Sequence, residues 1–365
     1  MRLQLTPVVV TLMVIAATTF RSETAWAQDV VRADARAGVY HDSDATTIGT
    51  ATTAVRGTIE ELVTIKGRYL ADIISSASVD VVSAATGRFD EVRHEAEGGV
   101  TYADGTNTIN TTYIYSIEND WSSHTVAAGV GRDFFDHQLT LGLGGSFVLN
   151  AIERQDDDNF SEGMIIGSGT ASAAMVLTPE DLLSLAYSFT HASGYLASPY
   201  RFAYLGSPTG LTIGVPEMHP ERRMRHALAL RHNRYLFKNA ALRTHGRAYY
   251  DDWGIASGTV GTELVVGFPP LEIGARVRGY VQSEAAFYES VYGEPQRYMT
   301  ADKELGAFAD VFAGGLIALR HDFNAAIEML EAEIRVDGFY FKYFDFPRLP
   351  QRTGLTAELG LGISF

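Results

Sequence analysis

Gly354 to Phe365, the last twelve residues of the chain, read GLTAELGLGISF and alternate without a break. Leu355, Ala357, Leu359, Leu361, Ile363 and Phe365 share one face of an extended chain; Thr356, Glu358, Gly360, Gly362 and Ser364 share the other. Successive side chains of a strand point to opposite sides, so this pattern requires an apolar and a polar environment along its whole length. A closed barrel in a membrane supplies both, with hydrocarbon outside, water inside and no edge left unpaired. The alternative is a plain edge strand of a secreted β-domain.

The same period of two recurs from end to end. Leu139, Leu141, Leu143, Phe147 and Leu149 oppose Thr140, Gly142, Gly144 and Ser146; Leu271, Ile273, Ala275, Val277 and Val281 oppose Glu272, Arg276, Arg278 and Tyr280. Such windows predict sixteen strands: 30–41, 45–56, 60–74, 90–103, 107–119, 122–133, 137–152, 164–177, 181–193, 222–236, 240–254, 258–268, 271–288, 305–320, 328–346 and 353–365. Many exceed the five or six residues usual in globular sheets and match the roughly nine to eleven that a tilted membrane strand needs. No window carries a sustained helical pattern, although 324–333 has room for a turn or two. Connections segregate as well. Short turns (104–106, 134–136, 178–180, 237–239, 269–270) follow even-numbered strands, and long loops (75–89, 153–163, 194–221, 289–304) follow odd-numbered ones. The expectation is an all-β, transmembrane, antiparallel up-and-down barrel of sixteen strands, fourteen as the fallback, with short periplasmic turns and long extracellular loops.

Composition agrees with export. Arg2, the apolar run Val8 to Phe20 and the Ala25-Trp26-Ala27 site read as a cleaved signal peptide over 1–27, leaving 28–365 as the barrel. A short buried helix of a cytosolic protein is the other reading of that run. There is no cysteine, hence no disulfide or thiolate metal site. A formal net charge of −15, with no long basic run, argues against nucleic acid as a partner.

Several stretches together resemble an uncharacterised family of bacterial outer-membrane β-barrels, described only as a domain of unknown function. They are YHDSDATT (40–47), SSASVDVVSAAT (75–86), EVRHE (91–95), GYLASPYR (194–201), PERRMRHAL (220–228), YYDDWGIAS (249–257), GYVQSEAAFY (279–288) and TADKELG (300–306). The resemblance covers nearly all of the mature chain. It implies a Gram-negative outer membrane, with lipid and lipopolysaccharide around the barrel and the insertion machinery as a partner during assembly. It carries over no substrate, cofactor or catalytic residue. The family is often described beside periplasmic redox and flavin-attachment proteins.

Alternation also assigns the lumen. Window 222–236 points Arg223, Arg225 and Arg231 inward; 240–254 adds Arg243, His245 and Arg247. Glu263 follows from 258–268, and Glu272, Arg276, Arg278 and Glu284 from 271–288. The windows 137–152, 164–177 and 181–193 contribute mostly Gly, Ser, Thr and Ala. A charged wall would thus face a wall of small residues. Arginines opposite carboxylates can select small polar solutes, with a bias toward anions, in a water-filled passage, or they can pair off and fill the lumen as a charge ladder. Loop 194–221 is the segment best placed to fold inward.

Other features carry less. Trp121, Tyr187, Tyr250, Trp253, Phe287, Tyr288, Tyr340 and Phe344 near one end, and Phe134, Phe135, Phe237, Phe268 and Phe365 near the other, read as interface girdles, with carbohydrate stacking as the alternative. Phe365 also fits the terminal aromatic read by barrel insertion machinery. Asp156, Asp157 and Asp158 are a solvated acidic run or a divalent-cation site, and His41 to Asp44 a tight turn. No nucleophile motif surrounds His124 with Ser122 or Ser123, or His191 with Ser193, and the phosphate loop and HExxH motif are missing. The expectation is a passage that does no covalent chemistry and holds no metal. A non-conducting barrel that anchors or scaffolds an envelope assembly, linked to periplasmic redox proteins, is the second reading, and an outer-membrane enzyme the third.

Overall fold

The computed structural model describes residues 30–76, 89–207, 210–323 and 327–365. The expected signal peptide over 1–27, most of loop 75–89 and residues 324–326 lie outside them. Eighteen strands follow one another: β1 Val30–Asp42, β2 Thr46–Ile59, β3 Val63–Ser76, β4 Phe89–Ala103, β5 Asn107–Ile117, β6 Trp121–Phe134, β7 Leu139–Glu153, β8 Ser161–Thr178 and β9 Asp181–Gly194. The rest are β10 Phe202–Gly206, β11 Thr212–Pro216, β12 Arg222–Phe237, β13 Ala240–Asp251, β14 Ala256–Phe268, β15 Leu271–Gln282, β16 Phe308–Asp322, β17 Met329–Tyr343 and β18 Gln351–Ser364.

All but β10 and β11 close into one antiparallel barrel of sixteen strands, which sets the fourteen-strand fallback aside. The seam is formed by β1 and β18, paired from Arg32 opposite Ser364 to Asp42 opposite Gly354. Beyond β18, the Phe365 amide donates to the Val31 carbonyl at 2.9 Å and its own carbonyl accepts from the Val31 amide at 3.3 Å. Wall strands run from 11 to 18 residues. Among the described residues no helix is long and apolar enough to cross a membrane; the crossing is made by strands.

Exposure runs opposite to that of a soluble sheet. Val260 is 72% exposed, Leu143 64% and Ile317 55%, each on the outward face of its strand. A band of such residues is unfavourable in water and favourable in hydrocarbon, by roughly 1.5–3 kcal/mol for each large side chain. The inward faces are polar, as the alternation requires.

The start of β1, the end of β18 and the short turns after even-numbered sequence windows share one rim, here the terminal rim; the long connections share the opposite one, the loop rim. The expected window 271–288 is corrected at its upper end, because β15 stops at Gln282. Glu284 therefore stands exposed in the following loop and does not line the barrel wall. The cause is local packing: Ala285, which continues the apolar parity of β15, is buried together with Tyr288, Trp253, Ile255 and Leu305 in a cluster at the loop rim, and Phe287 packs against it. Trp253, Phe287 and Tyr288 are thus loop core and not girdle, whereas Tyr187, Tyr250, Tyr340 and Phe344 do face outward. Trp121 points inward and donates its indole N–H to Asn150 at 3.1 Å. At the other rim Phe135, Phe237 and Phe268 are exposed, as a girdle requires.

Candidate functional site: the lumen and its loop rim

Inter-strand register brings the expected lumen arginines into rows. Arg231 lies opposite His245, Asn233 opposite Arg243, Ala229 opposite Arg247 and Arg225 opposite Asp251. Arg243 lies opposite Glu263, and Glu263 opposite Arg276. Ten of the eleven sequence-derived wall residues therefore point inward; Glu284 is the exception. Glu272 sits near the terminal rim, opposite Gly267 and Ala318, with no ion pair among the described residues. The His245 ring lies against the bare backbone of Gly261, its cross-strand neighbour, where a β-carbon would collide with it.

Four of the seven arginines are neutralised. Arg223 Nε donates to Asp251 Oδ2 at 2.9 Å, and Arg243 meets Glu263 at 3.2 Å. Arg276 Nε donates to Asp337 Oδ1 at 2.6 Å; Arg278 is bonded to Asp310 and lies 4.2 Å over the ring of Phe312. Arg225, Arg231 and Arg247 differ: among the described residues no carboxylate forms an ion pair with any of them. Arg247 makes only a cation–π contact, 5.3 Å from the Tyr249 ring.

Arg225 and Arg231 sit on β12, which borders the small-residue arc, and Arg247 on β13 beside it. Ser188 and Thr190 of β9 share with Arg225 and Arg247 an open pocket of about 380 Å³. Further toward the terminal rim, Arg231, Arg243, His245, Arg276 and Arg278 line one of about 740 Å³. The expected arc of small residues is present on β7, β8 and β9, but the charged arc is longer than the sequence reading drew it. It continues past the seam, where Arg32 meets Glu331 at 2.9 Å and Arg36 meets Glu358 at 2.6 Å. It ends on β3 and β4, with Arg68 at 2.6 Å from Glu95 and Lys66 at 2.7 Å from Glu97. The strand parity that exposed Arg276 would have exposed these too.

At the loop rim the long connections bind one another. Hairpin β10–β11 and the residues beside it meet loop 283–307 through the backbone pair Met218–Met299 and an ion pair between Arg201 and Asp302. Glu217, buried, accepts from the Thr300 hydroxyl and the Ala301 amide, both at 2.9 Å. Lys303 reaches Asp44 at 3.6 Å, and the Arg348 guanidinium stacks 3.6 Å over Tyr204. Tyr200 crosses to the far side: its hydroxyl donates to Asp120 and accepts from the Gln155 amide. Burial pushes the Tyr200 phenol up to about 12, and its bond to Asp120 adds to the shift. Loop 194–221 thus does lean across the mouth, tied at both sides.

The remaining motifs resolve as structure. Asp42 is buried and accepts the Asp44 and Thr46 amides at 3.0 Å, which closes the His41 to Asp44 turn. Asp156 is paired with Arg154 at 2.9 Å, which holds its carboxyl below the usual range, and Asp157 caps the Asn159 amide. His124 faces outward and its Nδ1 is 2.7 Å from the Tyr113 hydroxyl, so it does not converge with the inward Ser123. One acidic group was missed by the sequence reading: Glu91, Glu118 and Asp120 come together beneath Tyr200. Burial raises the Glu118 carboxyl, and neighbouring Asp120 adds to it.

Comparison with known proteins places this geometry. A bacterial polysaccharide outer membrane secretin superposes with a TM-score of 0.53 at 10% identity, over 94% of this chain and 100% of that one. OccD3 (OpdP) of Pseudomonas aeruginosa gives 0.47 at 10%, over 94% and 93%; the siderophore receptor PirA of Acinetobacter baumannii gives 0.48 at 9%, over 88% and 54%. At such identities the likeness is one of fold, that of an outer-membrane barrel. No curated protein matches the chain in sequence. Residues 43–170 and 166–359 match the family described as "Protein of unknown function (DUF3570)", and the chain belongs to that family.

Proposed function

We propose that this barrel sits in a Gram-negative outer membrane and passes small polar solutes, anions ahead of cations, without doing covalent chemistry. The observation that carries the reading is the set of three uncompensated arginines, Arg225, Arg231 and Arg247, beside a wall of small residues. Fixed charge without a counter-charge biases a narrow aqueous path toward ions of opposite sign, whereas paired charges cancel at a distance. A closed barrel of sixteen strands is wide enough to hold such a path. Lipid and lipopolysaccharide would surround the apolar band, and Phe365, at the seam, would be read by the insertion machinery.

The binding of loop to loop at the rim favours one competing reading, a barrel closed at its mouth that anchors an envelope assembly, linked to periplasmic redox proteins. Single-channel recording of the refolded protein in a planar bilayer, with a salt gradient, separates the two. Stable steps with a reversal potential toward the anion equilibrium support passage. A folded barrel that stays silent, and still stays silent when Tyr200 is replaced by Phe, supports the anchor.

A further inference from the structure

Three carboxylates meet at the loop rim, and among the described residues no cationic side chain pairs with them; the charge of Arg93, bound to Asp72, acts on Glu91 and Glu118 only at a distance. Glu91 is the third residue of β4 and points inward; Glu118 and Asp120 come from the connection between β5 and β6. One oxygen from each lies within 4.8 Å of the others. Elsewhere in the lumen most clustered acids are matched: Glu95 and Glu97 have Arg68, and Asp72 has Arg93, whose Nε donates to it at 3.0 Å. Among the described residues Glu91, Glu118 and Asp120 take part in no ion pair. Glu91 is only 8% exposed, and its Oε1 is buried with no hydrogen-bond partner.

Converging negative charges in a half-buried site call for a counter-charge, and an orphaned buried carboxylate oxygen marks the point where one is missing. The donor set is all oxygen, which suits a hard cation. A separation of up to 4.8 Å is one that a calcium shell accommodates without movement of the chain. Ca²⁺ binds oxygens at about 2.3–2.6 Å, so two ligands on one ion lie up to about 5 Å apart; Mg²⁺, at about 2.0–2.1 Å, spans only about 4 Å. A neighbouring cavity of about 370 Å³, lined also by Trp121 and Tyr200, has room for the waters that complete the shell.

We infer that Glu91, Glu118 and Asp120 form a calcium site in the wall of the loop rim. The ion clamps the mouth, because Asp120 also holds the Tyr200 hydroxyl of the crossing loop. The site does not depend on the barrel conducting; it stands equally for a passage or an anchor.

Trp121 makes the test direct. Full-length mature protein, refolded in detergent without lipopolysaccharide and stripped with chelator, is titrated with Tb³⁺ while tryptophan is excited. Calorimetry with CaCl₂ on the same sample reads binding without the fluorophore. The expected result is one saturable site whose terbium emission Ca²⁺ displaces. The double variant Glu118→Gln with Asp120→Asn should weaken binding about tenfold or more. Replacing Asp156, Asp157 and Asp158 by Asn should leave it unchanged. Heat-modifiable mobility on a gel establishes that each variant is folded. Absence of calorimetric Ca²⁺ binding to the folded wild type overturns the inference, and so does binding that survives the double variant at full strength.

Discussion

The Arg276 guanidinium reaches Asp337 two strands away, over the bare backbone of Gly314, with Nε 2.6 Å from Oδ1. A β-carbon at Gly314 would collide with the Asp337 side chain and the Val336 carbonyl. Asp337 is almost fully buried beneath its partner. Gly314→Val should therefore lower the thermal stability of the barrel, by roughly 1–3 kcal/mol, the usual cost of overpacking. Band shift on heating in detergent measures it. Asp337→Asn keeps the shape and frees one positive charge, so on the passage reading its reversal potential should move further toward anions.

Arg247 and Arg278 should respond differently to charge reversal. Arg247 has only the Tyr249 ring beside it, so Arg247→Glu should fold at the wild-type temperature and shift selectivity toward cations. Arg278→Glu would face buried Asp310 with a second negative charge and remove the stacking on Phe312. It should lose stability on the order of 1–3 kcal/mol, the cost of leaving a buried group unpaired. Equal melting of the two variants would show that the pairing with Asp310 adds nothing.

Phe365 has two roles that two variants separate. Its backbone closes the seam with Val31, and its ring continues the outward apolar row of β18. Deleting it should reduce the heat-modifiable barrel recovered from outer membranes. Phe365→Ala retains both backbone bonds; a similar reduction would assign the defect to the ring, and normal recovery would assign it to the seam.

The loops at the rim should loosen in alkali. The Tyr200 phenol ordinarily titrates near 10.0 and is held at about 12 by burial and by Asp120. A phenol raised in the folded state contributes stability that is complete below pH 10 and is lost as pH climbs toward 12. Tyr292, buried in loop 283–307, is raised to about 12 as well. Protection of residues 195–221 from an alkali-tolerant protease should fall across that window. In Tyr200→Phe the fall should be smaller, with lower protection at neutral pH because the bonds to Asp120 and Gln155 are gone.

Much of this molecule was legible along the chain. Period-two alternation in β7, β9, β15 and β18 named the strands, their count and their inward faces, because hydrocarbon on one side and water on the other leave each residue a binary choice. Ten wall residues followed from parity alone. The boundary at Gln282 was not legible: Ala285 and Phe287 keep the apolar parity of β15, but the cluster around Trp253 and Leu305 buries the first and packs against the second. Trp121 and Trp253 failed as girdle residues because nearness to a strand end does not say which side a ring takes: one turns inward to Asn150, the other joins the loop cluster.

The sequence by itself determined the barrel, its sixteen strands, its polarity and the residues that face inward, all consequences of local alternation and turn length. Tertiary structure alone decided which charges cancel. Arg278 and Arg247 look alike in their strands, yet one meets Asp310 and the other meets no acid, because register places partners from distant strands side by side. It also decided where Glu91 meets Glu118 and Asp120 and where Tyr200 lands. Ion pairing and coordination depend on separations of a few ångströms between residues far apart in the chain, and these are set only when the barrel closes and its loops pack.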